Sequence, residues 1–303
     1  MSHAIPIAAS GALKTSRAMI EPLFRALTPA QFVEQHYLKV PFASQGGCAH
    51  LRSLASPEVV EAILQAAEAD LFITRQGEWW SGPRPQSAND ARALVAAGYN
   101  FGVRHAERNH EGLAALAASF ARMFAGAVDI QMYWTASKTK GLGWHYDAED
   151  VFVLQTTGAK TWELRKNTVH PWPLIETLPR DMHYEREIMP LMRCELSAGD
   201  WLYIPAGYWH STHAEEESFS LSVGILPPTA IDLLDFLRRE LPASLLWRQR
   251  FPVMTRWHAL TEQERLAQLR EITAMLRDDL SARWNDDALL RRFIEARMPA
   301  VDG

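Results

Sequence analysis

Three residues have the types and spacing to do chemistry: His145 and Asp147, two positions apart, and His210, at the end of the run WLYIPAGYWH. Two imidazoles and one carboxylate can bind a divalent metal from one side and leave the opposite side open, the arrangement used for non-haem Fe(II) oxygen chemistry. Alternate residues of a strand point to one face. His145 and Asp147 can therefore converge on one point, and His210 can reach it from a second strand. Taken alone, H-x-D with a distant His is a weak signal, because such triplets arise by chance and accept several divalent ions. His213, only three residues beyond His210, turns to the other face at that odd spacing and is left out of the set. His105, His110, His170 and His183 fall in helical or loop contexts without paired ligand spacing and read as hydrogen-bonded structural histidines.

The elements that must position the triplet follow from periodicity. Residues 1 to 17 are small and polar enough to form a mobile arm. A first helical segment runs from Ala18 to His36, with a new helix starting at Thr28-Pro29, Thr28 as N-cap and Pro29 in the first turn. Ser56 to Ala69, a stretch opening near Asn89, and Glu111 to Phe124 are the next helices, with strands at Leu71 to Arg75 and Tyr99 to Val103. From Val128 the texture changes to short β-rich runs: DIQMYWTA, WHYDAEDVFVLQTT, KTWELRK, RCELSAGD, WLYIPA and SFSLSVGIL. Runs of that length and spacing predict a sandwich or barrel, with Gly158 and Ala198-Gly199-Asp200 as hairpin punctuation. After Pro227-Pro228 the helical period returns in TAIDLLDFLRREL, in LTEQERLAQLREITAML with a capping-box pattern at Thr261 and Glu264, and in DDALLRRFIEARM. The reading is a mainly β core with α elements, divided into an arm (1–17), a core domain with its helical lead-in (18–228) and a helical tail (229–303).

The segment QMYWTASKTKGLGWHYDAEDVFVLQTTGAKTWEL, followed by AGDWLYIPAGYWHSTHAEEESFSLSVGI, resembles the JmjC-type cupin oxygenases, particularly the bacterial cupin-4 and ribosomal-oxygenase branch. The lead-in FRALTPAQFVEQHYLKVPF is similar to that branch's entry segment, so the resemblance covers roughly Ala18 to Pro228. It implies a double-stranded β-helix (cupin, jelly roll) that binds Fe(II) and 2-oxoglutarate and uses O2 to hydroxylate a C–H bond. By resemblance, His145, Asp147 and His210 are the iron ligands, and Lys160 is the cation that pairs with the distal carboxylate of 2-oxoglutarate. The bland alternative for Lys160 is the solvent face of an edge strand, since a buried ammonium without a partner is costly. Tyr133 and Thr135 stand where the family places hydroxyl contacts to the cosubstrate. Gln131 stands where relatives often have Asn, and Ser220 and Ser222 alternate along the last strand and could donate to a carboxylate or be ordinary strand hydroxyls. Trp144 replaces a Pro common before the first ligand; there and at Trp79, Trp80 and Trp134, packing competes with gripping a flat substrate group.

Composition bounds the alternatives. The 303 residues are 48% hydrophobic and 22% charged, with 11 Trp, which describes a globular chain with a large core and excludes extended disorder. A net charge of −5 without a long run of one sign provides no broad nucleic-acid surface. Only Cys48 and Cys194 are present, too few for a disulfide framework, and no apolar run approaches the ~20 residues of a spanning helix. The opening residues also lack a basic stretch followed by a solid apolar one, so the expectation is a cytoplasmic protein. By resemblance the substrate is a side chain in a protein or peptide, with a ribosomal protein one option. The ribosomal relatives carry a winged-helix domain after their dimerisation helices, whereas the residues after Pro228 here read as helices alone, so a biosynthetic peptide or small metabolite stays open. A metal module or isomerase of the same fold would have no need of Lys160 and Tyr133. The apolar stripe Leu266, Leu269, Ile272, Leu276 and Leu280, with Ile231, Leu233, Leu234, Phe236 and Leu237 upstream, leads to a homodimer as the expected assembly.

Overall fold

The computed structural model describes residues 19–179, 182–184, 187–250 and 259–297. The expected arm at residues 1–17 lies outside the described residues. The chain divides into two compact units at Leu226/Pro227.

The first unit opens with a 3-10 turn, Glu21–Arg25, and the helix Pro29–Gln35. Thr28 caps that helix through a reciprocal box: its hydroxyl accepts from the Gln31 N–H, and the Gln31 side chain accepts from the Thr28 N–H. Helices Pro57–Leu64, Ala88–Ala96 and Glu111–Phe124 complete the lead-in, interrupted by short strands. Along the chain the strands are β1 (Phe42–Ser44), β2 (Asp70–Arg75), β3 (Glu78–Trp79), β4 (Asn100–Arg104), β5 (Ala127–Thr135) and β6 (Thr139–Lys140). They continue with β7 (Asp150–Thr157), β8 (Lys160–Arg165), β9 (Met192–Leu196), β10 (Trp201–Ile204), β11 (Trp209–Ala214) and β12 (Ser218–Leu226). Two antiparallel sheets result, one in the order β1-β10-β7-β12-β5-β4-β2-β3 and the other β6-β11-β8-β9. This is the mainly β, cupin-like core expected from the sequence.

β7 explains how the layers stack. Its run is buried continuously because both faces are covered. Phe152 and Leu154 face an aromatic layer in which Phe32 meets Phe152 at 5.6 Å and Tyr203 at 5.1 Å. Val151 and Val153 face the other way, into a smaller cluster with Trp162, Leu164, Leu202 and Ile204 between the two sheets. The lead-in helices thus seal the outer face of the large sheet, and its inner face is left to build a cavity. Gly158 makes the β7–β8 turn at φ +65°, where a Cβ would lie 2.4 Å from the Glu217 carbonyl oxygen, so only glycine fits.

One run differs from expectation. WHYDAEDVFVLQTT reads as one strand, but β7 begins only at Asp150, and His145 and Asp147 lie in the loop before it. The chain changes sheets there: His145 forms a single antiparallel bridge with His210 beside the small sheet, whereas Asp150 already pairs with β12 in the large one. WLYIPA supplies β10, and His210 follows on β11, which belongs to the other sheet, with Gly207 at φ +79° in the turn.

The second unit contains the helices Ala230–Glu240, Leu245–Arg248, Glu262–Trp284 and Asp287–Arg297. Capping boxes at Thr229/Asp232 and Thr261/Glu264 start two of them. Within the unit, Phe236 meets Phe293 edge-on at 5.6 Å, and Arg292 pairs with Glu240 at 2.7 Å. No helix among the described residues is long and apolar enough to cross a membrane.

Candidate active site

His145 and His210 face each other across the isolated bridge. The His145 N–H donates to the His210 carbonyl at 3.1 Å, the His210 N–H donates to the His145 carbonyl at 2.8 Å, and the ring centroids are 4.2 Å apart. Each imidazole is fixed through Nδ1, that of His145 against the Gly143 carbonyl and that of His210 against the Tyr208 carbonyl, both at 2.9 Å. Those contacts make Nδ1 the protonated donor and leave each Nε2 lone pair for another partner. Asp147 stands 3.4 Å from His210 Nε2, and its own carbonyl accepts from the Gly207 N–H at 2.8 Å. One ligand atom from each of the three lies within 4.8 Å of the others. Two oriented imidazoles and a carboxylate at that spacing suit a divalent ion with open positions, and the donor set fits Fe(II) as well as other divalent metals.

The electrostatics agree. Burial and the neighbouring His210 hold the His145 imidazole below its ordinary range, which favours the neutral, ligating form. Burial also opposes ionisation of Asp147, but the His210 hydrogen bond and the charges of both imidazoles outweigh it and hold the carboxyl down at about 2. Burial pushes His210 down, yet the Asp147 hydrogen bond and charge raise it overall, so a metal at His210 competes with a proton.

All three line a cavity of about 240 Å³ that also takes in Lys160, Tyr133, Thr135, Gln131, Ser220 and Ser222. Lys160 is only 4% exposed, and β8 lies inside the small sheet between β11 and β9, which rules out the edge-strand alternative. The ammonium donates to Ser220 Oγ at 2.9 Å and sits 5.6 Å from the Tyr133 ring centroid. Burial pushes it down to about 7. Gln131, Tyr133 and Thr135 alternate along β5, and the Tyr133 hydroxyl donates to Gln131 Oε1 at 2.8 Å. Ser220 pairs with Tyr133 and Ser222 with Gln131 across β12 and β5, so these groups share one wall. Trp162, Val151 and Ile204 form an apolar wall.

Several residues escaped the sequence reading. Glu149 lines the same cavity, and burial, with Asp147 and Asp129 nearby, raises its carboxyl to about 7. The alternation 145, 147, 149, 151 was the available signal. His105, read as a solitary structural histidine, contacts the Asp129 carboxylate and lies 3.9 Å from Glu107, which Arg108 also approaches. These three offer a second cluster of ligand-type atoms that spacing alone does not reveal. Of the tryptophans, Trp134 is buried against Phe219, Trp80 donates to the Pro83 carbonyl, and Trp144 stacks on Tyr184. His213 pairs with Glu215 at 3.1 Å, away from the triad.

The family profile described as "JmjC domain" matches residues 106–233, the stretch that contains the triad, Lys160 and the β5 and β12 walls. That stretch is similar to JmjC domains. Its sequence is similar to the ribosomal protein uL16 3-hydroxylase of Escherichia coli (strain K12), 27% identical over 223 residues that cover 69% of this chain and 57% of that protein. It is also similar to ribosomal oxygenase 1 of Gallus gallus, 27% identical over 251 residues covering 78% of this chain and 41% of that protein. The chain thus spans about half the length of these relatives. The JmjC fold extends to a solved structure of YcfD, a ribosomal oxygenase from Escherichia coli, in complex with cobalt and 2-oxoglutarate. The TM-score is 0.57 at 22% identity, covering 89% of this chain and 70% of that one.

Proposed function

We propose that this chain is an Fe(II)- and 2-oxoglutarate-dependent dioxygenase that hydroxylates a side chain of a protein or peptide. One observation carries the reading: a triad whose imidazoles are both anchored through Nδ1, with Nε2 turned from the backbone, shares a cavity with a buried lysine whose ammonium donates to a serine hydroxyl. A bare metal module has no reason to bury an ammonium at that cost. An anionic ligand long enough to reach from the triad to Lys160 compensates it.

In this scheme His145, Asp147 and His210 hold the metal, which when bound couples oxidation of the 2-oxo acid by O2 to hydroxylation of a C–H bond. Lys160 and Ser220 hold the distal carboxylate through a charge-assisted bond. Tyr133, Thr135, Gln131 and Ser222 orient the rest of the cosubstrate, and Trp162, Val151 and Ile204 keep water away from it. A protein substrate is supported by the similarity to proteins named as a ribosomal protein hydroxylase and a ribosomal oxygenase. The test is anaerobic binding of Fe(II) and 2-oxoglutarate, followed by a mass-spectrometric search of lysate peptides for products 16 Da heavier. Binding with no oxygenated peptide but with a hydroxylated metabolite would move the substrate to small molecules.

Two further readings belong here. A reducing, cytoplasmic setting is supported by the free thiols of Cys48 and Cys194. A homodimer is supported by the 23-residue helix Glu262–Trp284, none of whose residues is buried and along which Leu266 and Met275 remain exposed.

A further inference from the structure

The ligand loop lacks the support that a strand would provide. His145 is tied to β11 by a single bridge, with Gly141 and Gly143 just upstream. Beyond the backbone bonds from Gly141 to the Thr212 carbonyl and from Gly207 to the Asp147 carbonyl, both at 2.8 Å, its packing is aromatic. In a paired bridge the residues next to the ligands point away from them, so Trp144 and Trp209, each immediately preceding a histidine of the triad, project on the side opposite the imidazoles. Between them lies Tyr184, from the long β8–β9 connection. Its ring stacks on Trp144 with centroids 4.0 Å apart and planes 5° from parallel, and meets Trp209 edge-on at 5.7 Å and 75°. Tyr146, which follows His145, closes on the other part of Trp209 at 4.7 Å and 86°. None of these four rings lines the main cavity.

Tyr184 is itself anchored. The Arg165 guanidinium lies 5.1 Å from its ring centroid and donates to the Glu187 carbonyl at 3.0 Å. The Glu187 carboxylate accepts backbone N–H groups from Thr168 at 2.6 Å and from Ile188 and Met189 at 2.9 and 3.0 Å. One carboxylate thus clasps both ends of the connection and fixes the segment that carries Tyr184 against β8.

Resting on the reading of His145, Asp147 and His210 as metal ligands, we propose that Tyr184 is a positioning residue for that site, a wedge that sets the spacing of the two imidazoles by packing between Trp144 and Trp209. Groups that orient ligands from behind typically govern metal affinity by about 10- to 100-fold. Stacking uses the ring and not the hydroxyl, so Phe should replace Tyr and an aliphatic residue should not.

The experiment is anaerobic titration of the full chain with Co(II), reading both affinity and the visible ligand-field spectrum, for wild type, Tyr184→Phe, Tyr184→Leu and Asp147→Ala. Thermal unfolding of each metal-free protein is measured in parallel. Expected are wild-type affinity and spectrum for Tyr184→Phe, and for Tyr184→Leu an affinity about 10- to 100-fold weaker with an altered spectrum. Tyr184→Leu with wild-type affinity and spectrum overturns the wedge, whether or not its unfolding temperature falls. So does Tyr184→Phe behaving like Tyr184→Leu. If Tyr184→Leu does not fold, Trp144→Leu removes the other half of the stack and carries the same expectation. Co(II) binding that is unchanged in Asp147→Ala would instead refute the metal site itself, so the two failures are separable.

Discussion

On the proposed reading, Lys160 ties the cavity to the cosubstrate through protons. Its ammonium is buried, its partners are a neutral hydroxyl and a ring, and its affinity for a proton falls from the ordinary 10.5 to about 7. A ligand carboxylate that reaches it restores the charged form, so binding above pH 7 takes up a proton. With a free value near 7 and a bound value near the ordinary one, the dissociation constant for 2-oxoglutarate should rise about hundredfold from pH 6 to pH 9, or ~2.7 kcal/mol. The carboxylates of the 2-oxo acid are ionised throughout that range and contribute no slope of their own. Calorimetry on metal-loaded protein, in buffers of different ionisation enthalpy, measures both the affinity and the proton uptake. Lys160→Met keeps most of the apolar stem and removes the charge. It should bind about tenfold to hundredfold more weakly at pH 6 to 7, with the Lys160-dependent slope and proton uptake gone. The sign also holds for stability: a lysine with a depressed folded value destabilises progressively as pH falls from 10.5 to about 7 and by a constant amount below that, so metal-free Lys160→Met should unfold at a higher temperature than wild type at pH 6. A wild-type profile that is flat, or a variant with the same slope, would refute the assignment of Lys160 to the cosubstrate.

Asp147→Ala removes the only carboxylate of the triad and should abolish Fe(II) binding and turnover while far-UV dichroism stays at wild type; retained iron affinity would end the ligand assignment. Burial raises the Asp150 carboxyl to about 6, although the Tyr203 hydroxyl and the Ala206 N–H donate to it. The protonated form therefore stabilises the fold below pH 4, and that contribution is lost as pH rises through 6. Asp150→Asn should gain on wild type by about 3 kcal/mol between pH 4 and 7 in urea unfolding, and an unchanged difference would contradict the burial argument. Phe32, fully buried between Phe152, Trp201 and Tyr203, should cost about 3–5 kcal/mol when changed to Ala, read as a lower urea midpoint at constant slope. Light scattering of the full chain at tens of micromolar should find a dimer, and a monomer would return the exposed helix Glu262–Trp284 to solvent.

Local periodicity and helix-end chemistry account for one part of this structure. The capped helices at Thr28, Thr229 and Thr261, the helix Glu111–Phe124 and the β runs from Val128 follow from patterns within a few residues, because caps and strand alternation are local. The order of motifs around His145, Asp147, Lys160 and His210 also sufficed to place them in one kind of site. Long-range pairing decided the rest. That the chain changes sheets between Asp147 and Asp150, so that the ligands ride on a loop, depends on which strands β11 and β12 choose as neighbours. That Lys160 is buried depends on β9 covering the far side of β8, with Leu196 paired opposite Lys160 from 36 residues downstream. Glu149 in the cavity, the His105–Asp129 contact and the Tyr184 wedge are meetings of residues distant in sequence. No spacing rule encodes these meetings, because they arise only when the two sheets and the β8–β9 connection pack together.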